Sequence, residues 1–385
     1  MSVAKTVTKE EHQAEGVRRQ ALLNQLMADL NLDAICAHSN GAMAFQAPVK
    51  FMTDLATPCG RMFSWMYKDQ QPEVLVGRPD SAFHCTYRTF LDADHIEVIP
   101  DIVGDICRRI DAMPGTPRIG IPNFFDWPKG AADRLLATKG ELIDITKEFV
   151  TAKAPKAPYE LKLIREACDL SVKSFEEVVK MIKPGLTAKD VIGFAEGYLR
   201  ANGAEATLIL TRDAWPYAFI NRPTWKEVGA DEIFVYSCEI AGDGGYWTQL
   251  VRPIFMSRNS DKKAYDLLCK IKEAIFSGAD KFRPGNDLAE VCVEVSRIAK
   301  KYNLTEGIWA GHGMGIDLGD GIDLGPDNHM EIKPNMIVTL HPSLLDGKDG
   351  IFYADTFQST EGAPINLTDK YTGSPYLEDL REIIL

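Results

Sequence analysis

The sequence predicts two domains: an α/β amino-terminal domain over residues 1–155 and an α+β carboxy-terminal domain over residues 156–385. As far as residue 150, short strand-like runs alternate with helical segments, the pattern of an α/β layer. The segment Thr151-Ala-Lys-Ala-Pro-Lys-Ala-Pro158 then breaks the pattern, because two prolines and small residues oppose a helix. Beyond it the helices and strands lengthen. At 385 residues the chain is also too long for one ordinary core.

Leu22, Leu23, Leu26, Met27 and Leu30 recur at helical spacing, so residues 9–32 read as an amphipathic helix. Asp33-Ala-Ile-Cys-Ala-His38 reads as a short strand ending in Ser-Asn-Gly turn chemistry. Further strands are expected at 72–76, 95–99, 118–121 and 141–145, with helices near 102–112 and 129–137. After the break, a long helix opens at Tyr159 and runs to about Ile182, where Lys-Pro-Gly stops it. Helices over 188–202, 261–281 and 287–303 then alternate with strands over 206–211, 232–240, 246–256, 336–341 and 350–358. Lys183-Pro-Gly-Leu-Thr-Ala-Lys-Asp190 and Arg283-Pro-Gly-Asn-Asp-Leu-Ala-Glu290 repeat about a hundred residues apart. Each ends one helix and opens the next, with Thr187 or Asn286 as N-cap. The repeat reads as an internal duplication of a helix–turn–helix unit.

Hydrophobic residues make up 45% of the chain and charged residues 25%, which is ordinary for a globular protein. A net charge of -12 without a basic run disfavours nucleic acid and anionic membranes as partners. No run approaches the ~18 apolar residues a membrane span needs. The polar start, MSVAKTVTKEEHQAEG, does not read as a signal peptide. Eight scattered cysteines without a CxxC pair indicate reduced thiols and a cytoplasmic location.

Several segments, in order, resemble the creatinase/prolidase/methionine-aminopeptidase family. They are the post-linker helix, the doubled Pro-Gly unit, Cys238-Glu-Ile-Ala-Gly-Asp-Gly-Gly-Tyr-Trp-Thr-Gln-Leu-Val-Arg252, Gly311-His-Gly-Met-Gly315, Ile332-Lys-Pro-Asn-Met-Ile-Val-Thr-Leu-His-Pro342 and Gly350-Ile-Phe-Tyr-Ala-Asp-Thr356. The resemblance implies a creatinase-type amino-terminal domain and a pita-bread catalytic domain, whose curved sheet carries the active site on its concave face. Metallopeptidases of the family hold two metal ions there with two aspartates, a histidine and two glutamates. The matching positions here are Cys238, Gln249, His312, His341 and Ala354, of which only the histidine is kept. The resemblance therefore points to the metal-free, creatinase-like branch, with no metal and no cofactor. A one-residue shift in a strand turns a side chain to the other face. Glu239 and Asp355 therefore do not rescue a metal pair, and they enter instead as carboxylates beside the site.

The catalytic candidates are His312 and His341, as general base and acid, with Gln249, Glu239 and Asp355 near them. Strand alternation places Gln249 with Trp247 and Val251, and Tyr246, Thr248 and Arg252 opposite. The substrate-binding candidates are Tyr246, Arg252, Tyr353 and two members of an aromatic cluster, Trp215 and Phe219. Asp54-Leu-Ala-Thr-Pro-Cys-Gly-Arg61 resembles the creatinase loop whose arginine reaches the partner subunit's site. Arg61 would grip a substrate carboxylate in a homodimer. His84 is a further residue of interest. The departures make creatine a poor substrate: Phe219-Ile-Asn-Arg-Pro223 lacks creatinase's histidine, and Val251 and His341 replace two of its glutamates.

The expected function is metal-independent hydrolysis of a C–N bond in a small carboxylate-bearing substrate. The alternatives are a lyase or decarboxylase in the same pocket, a single zinc on Cys238, His312 and His341, or a non-catalytic binding protein of the same fold.

Overall fold

The computed structural model describes residues 4–41, 44–55, 60–85, 87–307 and 310–385. The chain divides into two compact units, Met1–Ala154 and Pro155–Leu385. The break falls at the first proline of the 151–158 segment. Thr151 to Lys153 still close a helix, Thr146–Lys153, and Pro158 occupies the first turn of the next, where its missing N–H costs nothing.

In the amino-terminal unit, six strands form one mixed sheet in the order β4-β3-β2-β1-β5-β6. They are β1 (Ala34–Ser39), β2 (Met62–Tyr67), β3 (Glu73–Val76), β4 (Ile96–Val98), β5 (Arg118–Ile121) and β6 (Glu141–Asp144). Helices Ile102–Ala112 and Lys129–Leu136 lay Ile106, Ile110, Ala131 and Leu135 on Ile119, Trp65 and Trp127. β2 has no counterpart in the sequence expectation, although Met-Phe-Ser-Trp-Met-Tyr is an apolar run of strand length.

The carboxy-terminal unit holds a three-stranded antiparallel sheet, β7 (Ala206–Arg212), β8 (Ile233–Ala241) and β9 (Trp247–Phe255). A small pair joins β10 (Thr305–Glu306) to β14 (Leu344–Leu345). A five-stranded antiparallel sheet takes the order β12-β11-β13-β15-β16. Its strands are β11 (Gly311–Gly313), β12 (Asp323–Leu324), β13 (Ile337–Leu340), β15 (Asp355–Gln358) and β16 (Ile365–Asn366). Helices Pro158–Met181 and Ala188–Ala201 pack Phe175, Val178, Val191 and Leu199 against Tyr236, Cys238, Leu250 and Ile254 of β8 and β9. Each such side chain contributes about 1.5–3 kcal/mol by leaving water.

The Pro-Gly repeat is visible as two matched helix pairs, the second being Lys262–Ala279 and Leu288–Lys301. Gly185 (φ +88°) donates its N–H to Val228 O, and Gly285 (φ +91°) donates to Ile332 O. Both positive φ values are those glycine adopts without strain. Thr187 caps the first helix, with Asp190 closing a capping box. In the second the cap is Asp287, with Glu290, rather than Asn286, because Asp287 stands at the position equivalent to Thr187. Among the described residues no helix is long and apolar enough to cross a membrane.

Candidate functional site

The register of the strands decides which side chains face one another. Glu239 lies directly opposite Gln249, and Cys238 opposite Leu250. Opposed residues share a face and successive residues alternate. Ser237, Glu239, Trp247, Gln249 and Val251 therefore form one face, turned away from the helices. Tyr236, Cys238 and Leu250 form the other and lie in the helix core. In the five-stranded sheet His312 is opposite Thr339, and Thr339 is opposite Thr356. Val251 bridges to Ala354, two residues before Thr356. That bridge puts His312, Thr339, Ala354 and Thr356 on the same side as Glu239 and Gln249.

Two side-chain pairs stand on this face. Gln249 donates Nε2–H to Glu239 Oε1 at 3.1 Å, and Ser237 Oγ lies 3.5 Å from the same oxygen. Both residues are buried, and Gln249 Oε1 has no hydrogen-bond partner among the described residues. Burial pushes the Glu239 carboxyl up to about 7. In the second pair the rings of His312 and His341 lie edge to face, with centroids 5.0 Å apart. His312 Nδ1 is 3.0 Å from the Gly313 carbonyl. A carbonyl only accepts, so Nδ1 carries the proton. Burial lowers the pKa of His312, against the pull of the Gly313 carbonyl, the Asp323 carboxylate and the Leu318 carbonyl. Burial and then the neighbouring His312 push His341 down to about 3, and its buried Nε2 has no partner among the described residues. An imidazole neutral to that pH has no imidazolium proton to give near pH 7. His341 is therefore not the general acid expected from the sequence.

Glycine makes the approach of His312 possible. Gly311 has φ +152°, and a Cβ there would sit 2.0 Å from Thr339 O. No other residue could bring β11 this close to β13.

Several expected site residues are elsewhere. Cys238 points into the helix core, where burial raises its thiol to about 12, so Cys238, His312 and His341 do not assemble as a zinc set. Asp355 also faces the helices, and its catalytic assignment is withdrawn. Its Oδ1 accepts from Arg252 Nη2 and Thr368 Oγ1, both at 2.7 Å, and its Oδ2 from Tyr353 OH at 3.0 Å. Arg252 is sealed in the same network: Nη1 donates to Val251 O and Ala354 O at 3.0 Å, and Nη2 to Thr368 O at 2.6 Å. Its guanidinium lies 4.6 Å from the Tyr353 ring centroid. Arg252 and Tyr353 thus tie strands together, and their substrate-binding assignment fails on burial. Tyr246 fails for the same reason: it is buried, and its OH donates to Glu160 Oε1 at 3.3 Å.

The aromatic cluster reaches the site through Phe352. Trp215 donates Nε1–H to Asp349 Oδ1 at 2.6 Å and packs edge to face on Tyr217. Tyr217 O accepts from Phe352 N, and the Phe352 ring lies 5.4 Å from that of His341. Phe219 is 56% exposed. In the amino-terminal unit Arg61 is exposed beside Phe63 and Arg134 in a shallow groove of about 340 Å³. Cys59 and its neighbours 56–58 in the loop expected to carry Arg61 lie outside the described residues. His84 closes a short helix, Pro79–Cys85, in the same unit. One buried pair was not anticipated: Lys156 Nζ meets Asp320 Oδ2 at 2.6 Å, which makes Asp320 an anchor of the glycine-rich loop after His312.

The donors do not fit a pair of metal ions. With Glu239 in the place assigned to Cys238, the five positions offer one carboxylate, one amide, two imidazoles and the methyl of Ala354. Holding two ions ~3.5–4 Å apart takes bridging carboxylates. Glu239 is the one carboxylate here, and burial keeps its proton on to about pH 7. Among the described residues no three His, Cys, Asp or Glu side chains converge as ligands.

Residues 162–361 match the model of metallopeptidase family M24. An uncharacterized peptidase of Staphylococcus saprophyticus is 26% identical over 238 residues, 58% of this chain and 65% of that one. The matched part thus spans just under two thirds of that relative's length. The Xaa-Pro dipeptidase of Pyrococcus furiosus is 22% identical over 236 residues, again 58% of this chain and 65% of that one. Among solved structures, the X-Pro aminopeptidase of Thermotoga maritima superposes with a TM-score of 0.80 at 16% identity, covering 93% of this chain and 99% of that chain. The prolidase of Pyrococcus horikoshii gives 0.75 at 17% identity, covering 91% and 98%. At such identities the likeness establishes the fold, an amino-terminal domain followed by a pita-bread domain.

Proposed function

The chain belongs to metallopeptidase family M24, and we propose that it is a metal-independent hydrolase of that family, cleaving a C–N bond in a small carboxylate-bearing substrate. The observation that carries this reading is the Glu239–Gln249 pair, on one sheet face with a histidine whose Nδ1 is held by the Gly313 carbonyl. The relatives named above are peptidases and dipeptidases, which supports hydrolysis over elimination.

The steps follow from the protonation states. His312 Nε2 takes a proton from water, and the water oxygen adds to the substrate carbonyl carbon. Glu239, protonated below about pH 7, donates a hydrogen bond to the oxygen that gains negative charge. Gln249 orients that carboxyl through its Nε2–H. As the C–N bond breaks, the His312 imidazolium returns its proton to the departing nitrogen. His341 packs edge to face on that imidazole, with Phe352 behind it.

Protein purified without chelator is therefore expected to hold well under one equivalent of transition metal, and turnover to survive EDTA. Stoichiometric metal, with turnover lost to EDTA and restored by that metal, would overturn metal independence.

Among the described residues, none of Ser237, Glu239, Trp247, Gln249, Val251, His312, Thr339, Ala354 and Thr356 on this face is a Lys or Arg. In a homodimer the partner subunit's Arg61 is the proposed anchor. A lost charge-assisted bond of about 1.5–3 kcal/mol corresponds to a KM roughly 10–150 times higher in Arg61→Ala. The melting temperature is expected to hold, since Arg61 is exposed. Unchanged KM would make Arg61 a bystander.

A further inference from the structure

We infer that the substrate presents an N–H and a C=O on the same side of one amide, as a primary amide, a lactam or a cyclic ureide does. This rests on the hydrolytic reading above and narrows its substrate class. It also sets the chain apart from relatives named for Xaa-Pro substrates, whose scissile nitrogen carries no hydrogen.

Gln249 is 2% exposed and commits its Nε2–H to Glu239. Its Oε1 is left buried without a partner among the described residues. An amide oxygen has no proton, so only a ligand N–H or O–H can satisfy it, and a buried acceptor left unpaired is costly.

The second observation is what stands next to that oxygen. Glu239 and Gln249 are directly opposed on adjacent antiparallel strands, so their side chains leave the sheet in parallel. Glu239 Oε1 is taken by Gln249 and approached by Ser237, which leaves Oε2 as its outward group. In the mechanism Oε2 carries the proton. The pair then offers an acceptor, Gln249 Oε1, beside a donor, Glu239 Oε2–H.

The complement of an adjacent acceptor and donor is an adjacent donor and acceptor. A primary amide, a lactam or a ureide ring holds N–H and C=O on one side and meets both groups at once. A trans secondary peptide holds them on opposite sides and meets only one. The amide before a proline has no N–H and would press carbon against Gln249 Oε1. Of the neighbours on the face, Val251 and Ala354 are apolar, and none of Ser237, Trp247 and Thr356 donates to that oxygen. A site built around a substrate N–H discriminates strongly against the analogue that lacks it.

The test is a matched panel read by calorimetric titration and by turnover. It comprises 5-oxoproline, hydantoin-5-acetic acid and succinamic acid, each beside the derivative methylated at every amide N–H, with glycylproline as the Xaa-Pro probe. At least one N–H compound is expected to bind ten or more times tighter than its N-methyl partner and than glycylproline. Gln249→Met keeps the bulk and removes the acceptor, and should bring that ratio close to one. Equal binding of N–H and N-methyl compounds, tighter binding of glycylproline, or no binding of any N–H compound would overturn the inference, and the native protein alone decides these. A ratio unchanged in Gln249→Met overturns it as well. Tenfold preference without turnover supports the substrate class and removes the hydrolytic reading, so the two fail separately.

Discussion

Glu239→Ala is expected to lower kcat by about 10²–10³-fold at pH 6, the usual cost of removing one donor to a developing oxyanion. In the native protein kcat should also fall as the pH rises through about 7, where the carboxyl ionises and ceases to donate. Glu239→Gln keeps an N–H donor in place and cannot ionise. It should retain much more activity than the alanine variant and lose the decline above pH 7. Stability reports the same group independently. The folded carboxyl titrates near 7, above its ordinary 4.5. Its contribution is therefore full below about pH 4.5 and lost as the pH rises through about 7. At about 1.4 kcal/mol per unit, native stability falls by about 3 kcal/mol across that window, and Glu239→Gln lacks the fall. Chemical denaturation at pH 4.5 and pH 8 measures it. A decline in kcat above pH 7 that survives in Glu239→Gln would remove Glu239 from the role.

The two-unit layout and the Pro-Gly duplication were legible because proline, glycine and helical spacing act locally. The site was only half legible, and Cys238 shows why. Counting back from Gln249 by the spacing of the resembling family lands on Cys238. The hairpin itself is centred on Gly244, whose φ of +106° makes the turn. That centre pairs Gln249 with Glu239 and sends Cys238 to the opposite face. Pairing register is set by the turn, and one residue of difference exchanges faces. The Ala-Gly-Asp-Gly-Gly stretch could have located the centre, so the signal was present. For Asp355, Arg252 and Tyr353 the sequence held no comparable signal. A charged residue beside a site motif and a buried structural ion pair look alike until the partner strand is known. β2 was missed for another reason. Its run Met-Phe-Ser-Trp-Met-Tyr is buried nearly throughout and does not alternate, so periodicity does not mark it as a strand.

Arg252→Met is expected to destabilise the carboxy-terminal unit by about 3–5 kcal/mol, because it leaves the Asp355 carboxylate buried without its cation. The loss extends beyond the ion pair. Arg252 also donates to the carbonyls of Val251 and Ala354, the two residues whose bridge joins β9 to the segment leading into β15. It reaches Thr368 and Lys370 as well, so one guanidinium ties three stretches of chain together. Most of the penalty belongs to the stranded carboxylate rather than to the pair, since a well-packed neutral replacement of a buried pair is often nearly neutral. The double variant Arg252→Met, Asp355→Asn should therefore be more stable than Arg252→Met alone. Urea denaturation of the two variants measures the difference. The KM of whatever fraction of Arg252→Met remains folded should stay near the native value, because Arg252 lies on the helix side of the sheet and Gln249 on the other. If Arg252→Met instead keeps its stability to within about 1 kcal/mol while KM rises tenfold, the guanidinium serves the substrate and the assignment made from the sequence is restored.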